Sequence, residues 1–242
     1  LILTTVGTAR ALGLDDDRWV FPLAGTDGGD TTFTSNRPTF AGSPAMRIAG
    51  RLALELAGVE AAELSTVDLY SCFPVAVQVA AHELGLSIDR DLTVTGGLPF
   101  AGGPWSNYVS HSIATTVEVL RERRGTGLVS ANGGYFTKHA FGVYATEPSG
   151  RAYAWAKPQD EIDAAGSVDV DDSYEGAATV ESCTVMHDRD ETPERAIITA
   201  RTAAGTRAWG TSADADTMAR IEATETVGSA ARIAADGTFA FV

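Results

Sequence analysis

Three loop-like stretches constrain this chain more than anything else in it. They are Asp-Leu-Tyr-Ser-Cys-Phe-Pro at residues 68–74, Gly-Gly-Leu-Pro-Phe-Ala-Gly-Gly-Pro at 96–104, and Ser-Ala-Asn-Gly-Gly-Tyr-Phe-Thr-Lys-His at 130–139. Each follows a short apolar run with the character of a strand, and the first two lead into helical patterns. In a layered α/β sheet such loops gather outside the strand ends, so that edge is the expected site.

The flanking sequence predicts the layers. Ser43 followed by Pro44 reads as a helix N-cap with proline at the first helical position; Met46, Leu52, Leu54 and Leu56 populate the helix, and Gly58 closes it. Residues 67–70 read as a strand, 73–84 as an apolar helix stopped by Gly85, and 92–95 as a further strand before the glycine loop. Residues 106–124 form a long helical pattern, with Val109, Ile113, Val117 and Leu120 at helical spacing and Arg121, Arg123 and Arg124 at the negative end of its dipole. Two strands at 127–131 and 140–145 enclose the third loop. Nearer the start, 1–6 and 19–24 read as strands, the latter ended by Gly25, and 31–42 as a loop.

Composition shifts after Thr146. Residues 147–176 are rich in Asp, Pro, Gly and Ser and read as a linker, and from Ala177 the pattern turns to period two. Runs at 177–186, 195–202, 207–210, 227–234 and 238–242, with one helix at 214–221, suggest a small all-β barrel such as an OB-fold. The expected organisation is an α/β domain over residues 1–146, a linker over 147–176 and an OB-fold-like domain over 177–242.

Charge and cysteine content narrow the function. A chain of 242 residues, 44% hydrophobic, can bury one large core or two smaller ones. A formal net charge of −14 disfavours nucleic acid and anionic membrane surfaces, although a helix N-terminus can still hold a phosphate-bearing small ligand. Cys72 and Cys183 are the only cysteines and lie far apart, with no metal-ligand spacing, which makes a reduced cytoplasmic compartment the expectation. No apolar run approaches the roughly 20 residues needed to span a bilayer. The first residue is not Met and the opening reads as a strand under way, so a fragment is expected.

Cys72 is the main chemical candidate. It stands between a predicted strand end and helix start, where the helix N-terminal field favours a thiolate, and His111 and His139 are the histidines that the layout can bring near it. A small buried cysteine with structural histidines is the alternative. Gly102, Gly103, Asn132, Gly133 and Gly134 allow close backbone approach, suited to a thioester oxygen or phosphate, or equally to plain turns. Tyr70, Tyr108 and Tyr135 are candidate proton donors or packing residues.

At these loops the sequence resembles the C-terminal half of a thiolase, nearest the sterol-carrier-protein type and the thiolase-like proteins of actinobacteria. Tyr70-Ser71-Cys72-Phe73 matches the His-Asp-Cys-Phe of the sterol-carrier type. Gly96-Gly97, four residues, then Gly102-Gly103-Pro104 keeps the spacing of the family's Gly-Gly, four residues, Gly-His-Pro, and Ala131-Asn132-Gly133-Gly134 stands in the register of Cys-x-Gly-Gly. The resemblance covers residues 1 to about 146, with the end of a preceding domain at its start, and implies the βαβαβαββ half of the thiolase fold.

By this resemblance the family's catalytic His is Gly103 and its acid/base Cys is Ala131, while its nucleophilic Cys belongs to the N-terminal half. Loss of an oxyanion donor costs about 10²–10³ in rate and loss of a general base about 10²–10⁴. The isolated chain is therefore expected to be inactive. The resemblance implies a coenzyme A thioester as substrate or ligand with no covalently bound cofactor, a homodimer when full length, and the missing half or a partner chain to complete the site. Three functions follow: an acyl-CoA acyltransferase of lipid metabolism with Cys72 as base or nucleophile, a thiolase-like retro-aldolase on a β-hydroxyacyl-CoA with Tyr70 or Tyr135 moving the proton, or a non-catalytic acyl-CoA binder.

Overall fold

The computed structural model describes residues 1–242. They form two compact units, Leu1–Thr34 with Ala41–Gly166, and Ser35–Phe40 with Ser167–Val242.

In the first unit, a short helix α1 (Val6–Ala11) precedes β1 (Phe21–Gly29), α2 (Pro44–Ala57), β2 (Thr66–Asp68), α3 (Pro74–Leu84), α4 (Tyr108–Arg123), β3 (Thr126–Gly133), β4 (Lys138–Ala145), β5 (Ala154–Ala156) and α5 (Gln159–Asp163). The sheet order is β2-β3-β4-β1-β5. β4 runs antiparallel to both β3 and β1, while the β2–β3 and β1–β5 pairs are parallel, so the sheet is mixed.

Local chemistry sets the helices that flank it. The Ser43 hydroxyl accepts the Met46 amide at 3.1 Å, Pro44 occupies the first turn, and Gly58 ends α2 in the left-handed region at φ 70°. Alternation along β4 buries His139, Phe141, Val143 and Ala145 on one face. Phe141 and Val143 meet Met46, Ala49, Val79 and Leu84 of α2 and α3 there. On the opposite face α4 lies close to β3, because Gly127 has no side chain where Thr116 and Leu120 sit.

Several sequence expectations need correction. Residues 1–5 pair with no strand, and the Thr5 hydroxyl instead caps α1 by accepting the Thr8 amide. Residues 92–95 form no strand either: the Val94 and Thr95 amides turn to a side chain, as described below, and the backbone bond here is Leu69 N–H to the Leu92 carbonyl at 2.9 Å. Gly25 does not stop β1, which continues to Gly29. The missing Cβ atoms make room for the Tyr153 hydroxyl at Gly25 and for Ile162 at Gly28.

Those two residues belong to the expected linker, which holds β5 and α5. The Gln159 amide pairs with both backbone groups of Gly29, accepting its N–H at 3.0 Å and donating to its carbonyl at 2.8 Å, as a neighbouring strand would.

The second unit contains β6 (Gly176–His187), β7 (Pro193–Thr202), β8 (Arg207–Ser212), α6 (Ala215–Ala223), β9 (Ala230–Ile233) and β10 (Phe239–Phe241). Its sheet is antiparallel throughout, in the order β10-β9-β6-β7-β8, over a core that includes Val180, Ala196, Ile198, Met218, Ile233 and Phe239. The paired strands form an open sheet rather than a clearly closed barrel.

Residues 35–40, expected as part of a first-domain loop, are built into this unit. Arg207 is fully buried and grips them: Nη1 donates to the carbonyls of Ser35 and Arg37, and the guanidinium lies 4.2 Å from the Phe40 ring centroid. Glu181 accepts Nε and Nη2 of Arg207 at 2.6 and 2.8 Å and also Nη2 of Arg201 at 2.6 Å. It sits at a register shift between Val180 and Ser182 in β6.

Candidate functional site

Asp68, the last residue of β2, organises the loops. Its side chain is fully buried. Oδ2 accepts the amides of Val94 and Thr95 at 2.8 and 3.1 Å, and Oδ1 accepts the hydroxyls of Tyr108 and Ser112 at 2.9 and 2.7 Å. The Thr95 hydroxyl lies 3.1 Å from Oδ2 and 2.7 Å from the Tyr108 oxygen, and accepts the Gly97 amide. One carboxylate thus supplies the Val94 and Thr95 amides with the acceptor that a neighbouring strand would have given them.

Further bonds bring the three loops together. Ser71 Oγ accepts the Leu98 amide at 3.0 Å, joining the first loop to the glycine loop, and Ser130 Oγ accepts the Tyr70 amide at 2.9 Å, joining the first loop to β3. Asn132 Nδ2 donates to Cys72 Sγ at 3.2 Å. The Asn132 Oδ1 atom is buried without a hydrogen-bond partner.

Cys72 immediately precedes Phe73, the N-cap of α3, and is partly buried. Tyr70 packs edge-on against Tyr108 with ring centroids 5.1 Å apart. Burial first, and then proximity to Cys72, push the Tyr70 phenol above its ordinary range, so it stays protonated at neutral pH. Tyr108 is pushed up to about 12, chiefly by burial, with the Asp68 charge adding to the effect against an opposing hydrogen bond from Thr95.

Cys72 and Asn132 therefore meet, with Tyr70 near Cys72, and His139 does not join them. Its side chain is buried, with Nε2 3.5 Å from Asp30 Oδ2 and its ring edge-on to Phe136 at 5.4 Å. Neither ring nitrogen is hydrogen-bonded to Cys72. Asp30 follows β1 and its side chain reaches the first turn of α2, where it accepts the Ala45 amide at 3.0 Å. His111 holds the glycine loop from its other side, with Nδ1 3.2 Å from the Ala101 carbonyl. The expected pairing of Cys72 with either histidine is thus not formed.

The glycine positions divide by role. Gly96, Gly97, Gly102 and Gly103 all have positive φ, between 51° and 93°, which allows the tight path of the second loop. The Gly103 amide is already used by the Leu98 carbonyl, at 3.1 Å. Gly133 ends β3 and Gly134, at φ 63°, turns toward β4. A cleft of about 720 Å³ borders this loop, lined by Val94, Thr95, Ala101, His111, Ala114 and Thr115 among others; it does not reach Cys72.

The sequence reading missed Asp68, Ser71, Thr95 and Ser130 as the residues that tie the loops together. A carboxylate inside the apolar run Val67-Asp68-Leu69 was the available signal, since a buried charge demands partners.

Comparison with known proteins places this arrangement. Residues 158–238 match a family described as the thiolase-like protein type 1 additional C-terminal domain. The crystal structure of a monomeric SCP2-thiolase like protein type 1 from Mycobacterium smegmatis is 33% identical, with a TM-score of 0.85, over 99% of this chain and 54% of that one. The chain thus spans about half the length of that relative. Human mitochondrial 3-ketoacyl-CoA thiolase is 19% identical over 60% of this chain and 34% of its own, with a TM-score of 0.47. No curated protein matches. The shared fold of both units at 33% identity, together with the thiolase spacing of the loops around Asp68, makes this chain a thiolase-like protein of the thiolase superfamily.

Proposed function

We propose that the three loops form a site for a coenzyme A thioester, with Cys72 as its reactive group and loop amides holding the thioester oxygen. The hydrogen bond from Asn132 Nδ2 to Cys72 Sγ carries this reading: the amide makes the sulfur an acceptor where the first and third loops meet, next to Ser71, which holds the glycine loop. The substitutions at the family's catalytic positions, Gly103 and Ala131, limit the chemistry to what Cys72 and the protonated Tyr70 can supply. Acyl transfer in lipid metabolism with reduced efficiency is the resulting function of the whole protein, the rest of the site being supplied from outside the residues described here or by a partner chain.

The test uses the full-length protein. Acetyl-CoA binding is expected in both wild type and Cys72→Ala, with acyl-CoA turnover only in wild type; equal turnover in the two would remove Cys72 from the chemistry. A second reading, a non-catalytic acyl-CoA binder, is favoured by the same Gly103 and Ala131 and is marked by affinity without turnover.

Two finer assignments belong to this proposal. The second unit is an OB-type barrel, supported by an isolated parallel bridge between Thr211 of β8 and Thr238, next to β10, which brings the edge strands together. The full-length protein is a monomer rather than the superfamily's usual dimer, in line with the relative described as monomeric. Among the helices here, none is long and apolar enough to cross a membrane.

A further inference from the structure

The two oxygens of Asp68 face different parts of the site. Oδ1 faces α4 through Tyr108 and Ser112, whereas Oδ2 faces the glycine loop through the amides of Val94 and Thr95. The Oδ2 side continues outward, since Thr95 Oγ1 holds the Gly97 amide and the next amide, Leu98, is held by Ser71, the neighbour of Cys72. A closed circuit therefore runs from Asp68 through Thr95, Gly97, Leu98 and Ser71 back along the chain to Asp68, with Cys72 at its rim. A parallel route joins Asp68 to Tyr70 through the Tyr108 ring.

We propose that Asp68 is a positioning residue that fixes the glycine loop against the Cys72 loop, and so sets the accessibility of the Cys72 thiol. The proposal deepens the reading of these loops as a thioester site, in which the Cys72 loop and the glycine loop must be held in fixed relation to each other. Asp68 touches no reacting atom; it acts through Thr95 and Ser71. A carboxylate is required because both oxygens must accept. An Asn amide either turns its N–H groups against the Val94 and Thr95 amides, which can only donate, or turns them to Tyr108 and Ser112, whose hydroxyls must then reverse from donors to acceptors.

The two-sided geometry supplies the test. Asp68→Asn, Thr95→Val and Ser112→Ala are made in the intact chain, and alkylation of Cys72 by iodoacetamide is followed at its own peptide by mass spectrometry, alongside thermal unfolding. Thr95→Val and Asp68→Asn are expected to speed alkylation about tenfold, the scale of one lost hydrogen bond to a charged group. Ser112→Ala, which loses only a contact toward α4, is expected to lower the melting temperature and leave the alkylation rate within about twofold.

A purely structural Asp68 would make alkylation follow stability across all three variants, and that result overturns the proposal. So does an unchanged rate in Thr95→Val, which keeps the carboxylate and stands in if Asp68→Asn does not fold. The readout needs no coenzyme A, so an absence of acyl-CoA binding in wild type would end the functional reading and leave this one standing.

Discussion

At the scale of single residues, the site depends on what each polar atom faces. Asn132 shares a register position with His139 across β3 and β4, so both side chains leave the same face of the sheet. Asn132 reaches Cys72 while His139 stays beside Asp30. Replacing Asn132 by Ala removes the donor to the sulfur, and alkylation of Cys72 is expected to slow about fivefold at neutral pH, measured as above. The position of Cys72 just before an apolar helix was legible from sequence, since Pro74 and the apolar run after it mark the helix start. Its partner was not: strand register and side-chain reach chose Asn132 over either histidine, and neither quantity is written in residue spacing.

At the scale of elements, helix ends were read well because capping is local chemistry. Ser43, Pro44 and Gly58 bound α2, and Gly85 closes α3 in the left-handed region. Ser43 also donates to Asp30 Oδ2 at 2.5 Å, so its hydroxyl serves two partners. Ser43→Ala is expected to cost about 1–2 kcal/mol of unfolding free energy, read by urea denaturation with an unchanged slope. Strands were read less well, because a strand exists only with a neighbour. Residues 1–5 and 92–95 have strand-like composition yet pair with none, whereas β1 continues through glycines because β4 and β5 flank it.

At the scale of the whole molecule, the second unit includes residues far away in sequence. The link is a charge network: burial alone would raise the Glu181 carboxyl, but hydrogen bonds and charge from Arg207 and Arg201 outweigh that and hold it below the ordinary glutamate range. A carboxyl whose folded value is depressed stabilises the fold when ionised, above the unfolded-state value, and loses that contribution as pH falls through the lowered folded value. Stability is therefore expected to fall as pH drops below about 4.5. Glu181→Gln should flatten this part of the stability–pH curve while lowering stability at pH 7, as followed by thermal unfolding across pH. The sequence by itself determined the ends of α2, α3 and α4 to within two residues, the alternation of β7 and β8, the placement of Cys72 before a helix and the family spacing of the loops, because caps, periodicity and motifs are properties of neighbouring residues. Only the tertiary structure decided that residues 35–40 belong to the second unit, that residues 147–166 are part of the first, and that a buried Asp68 replaces a strand, because each depends on a hydrogen-bond partner that the chain brings from a distance.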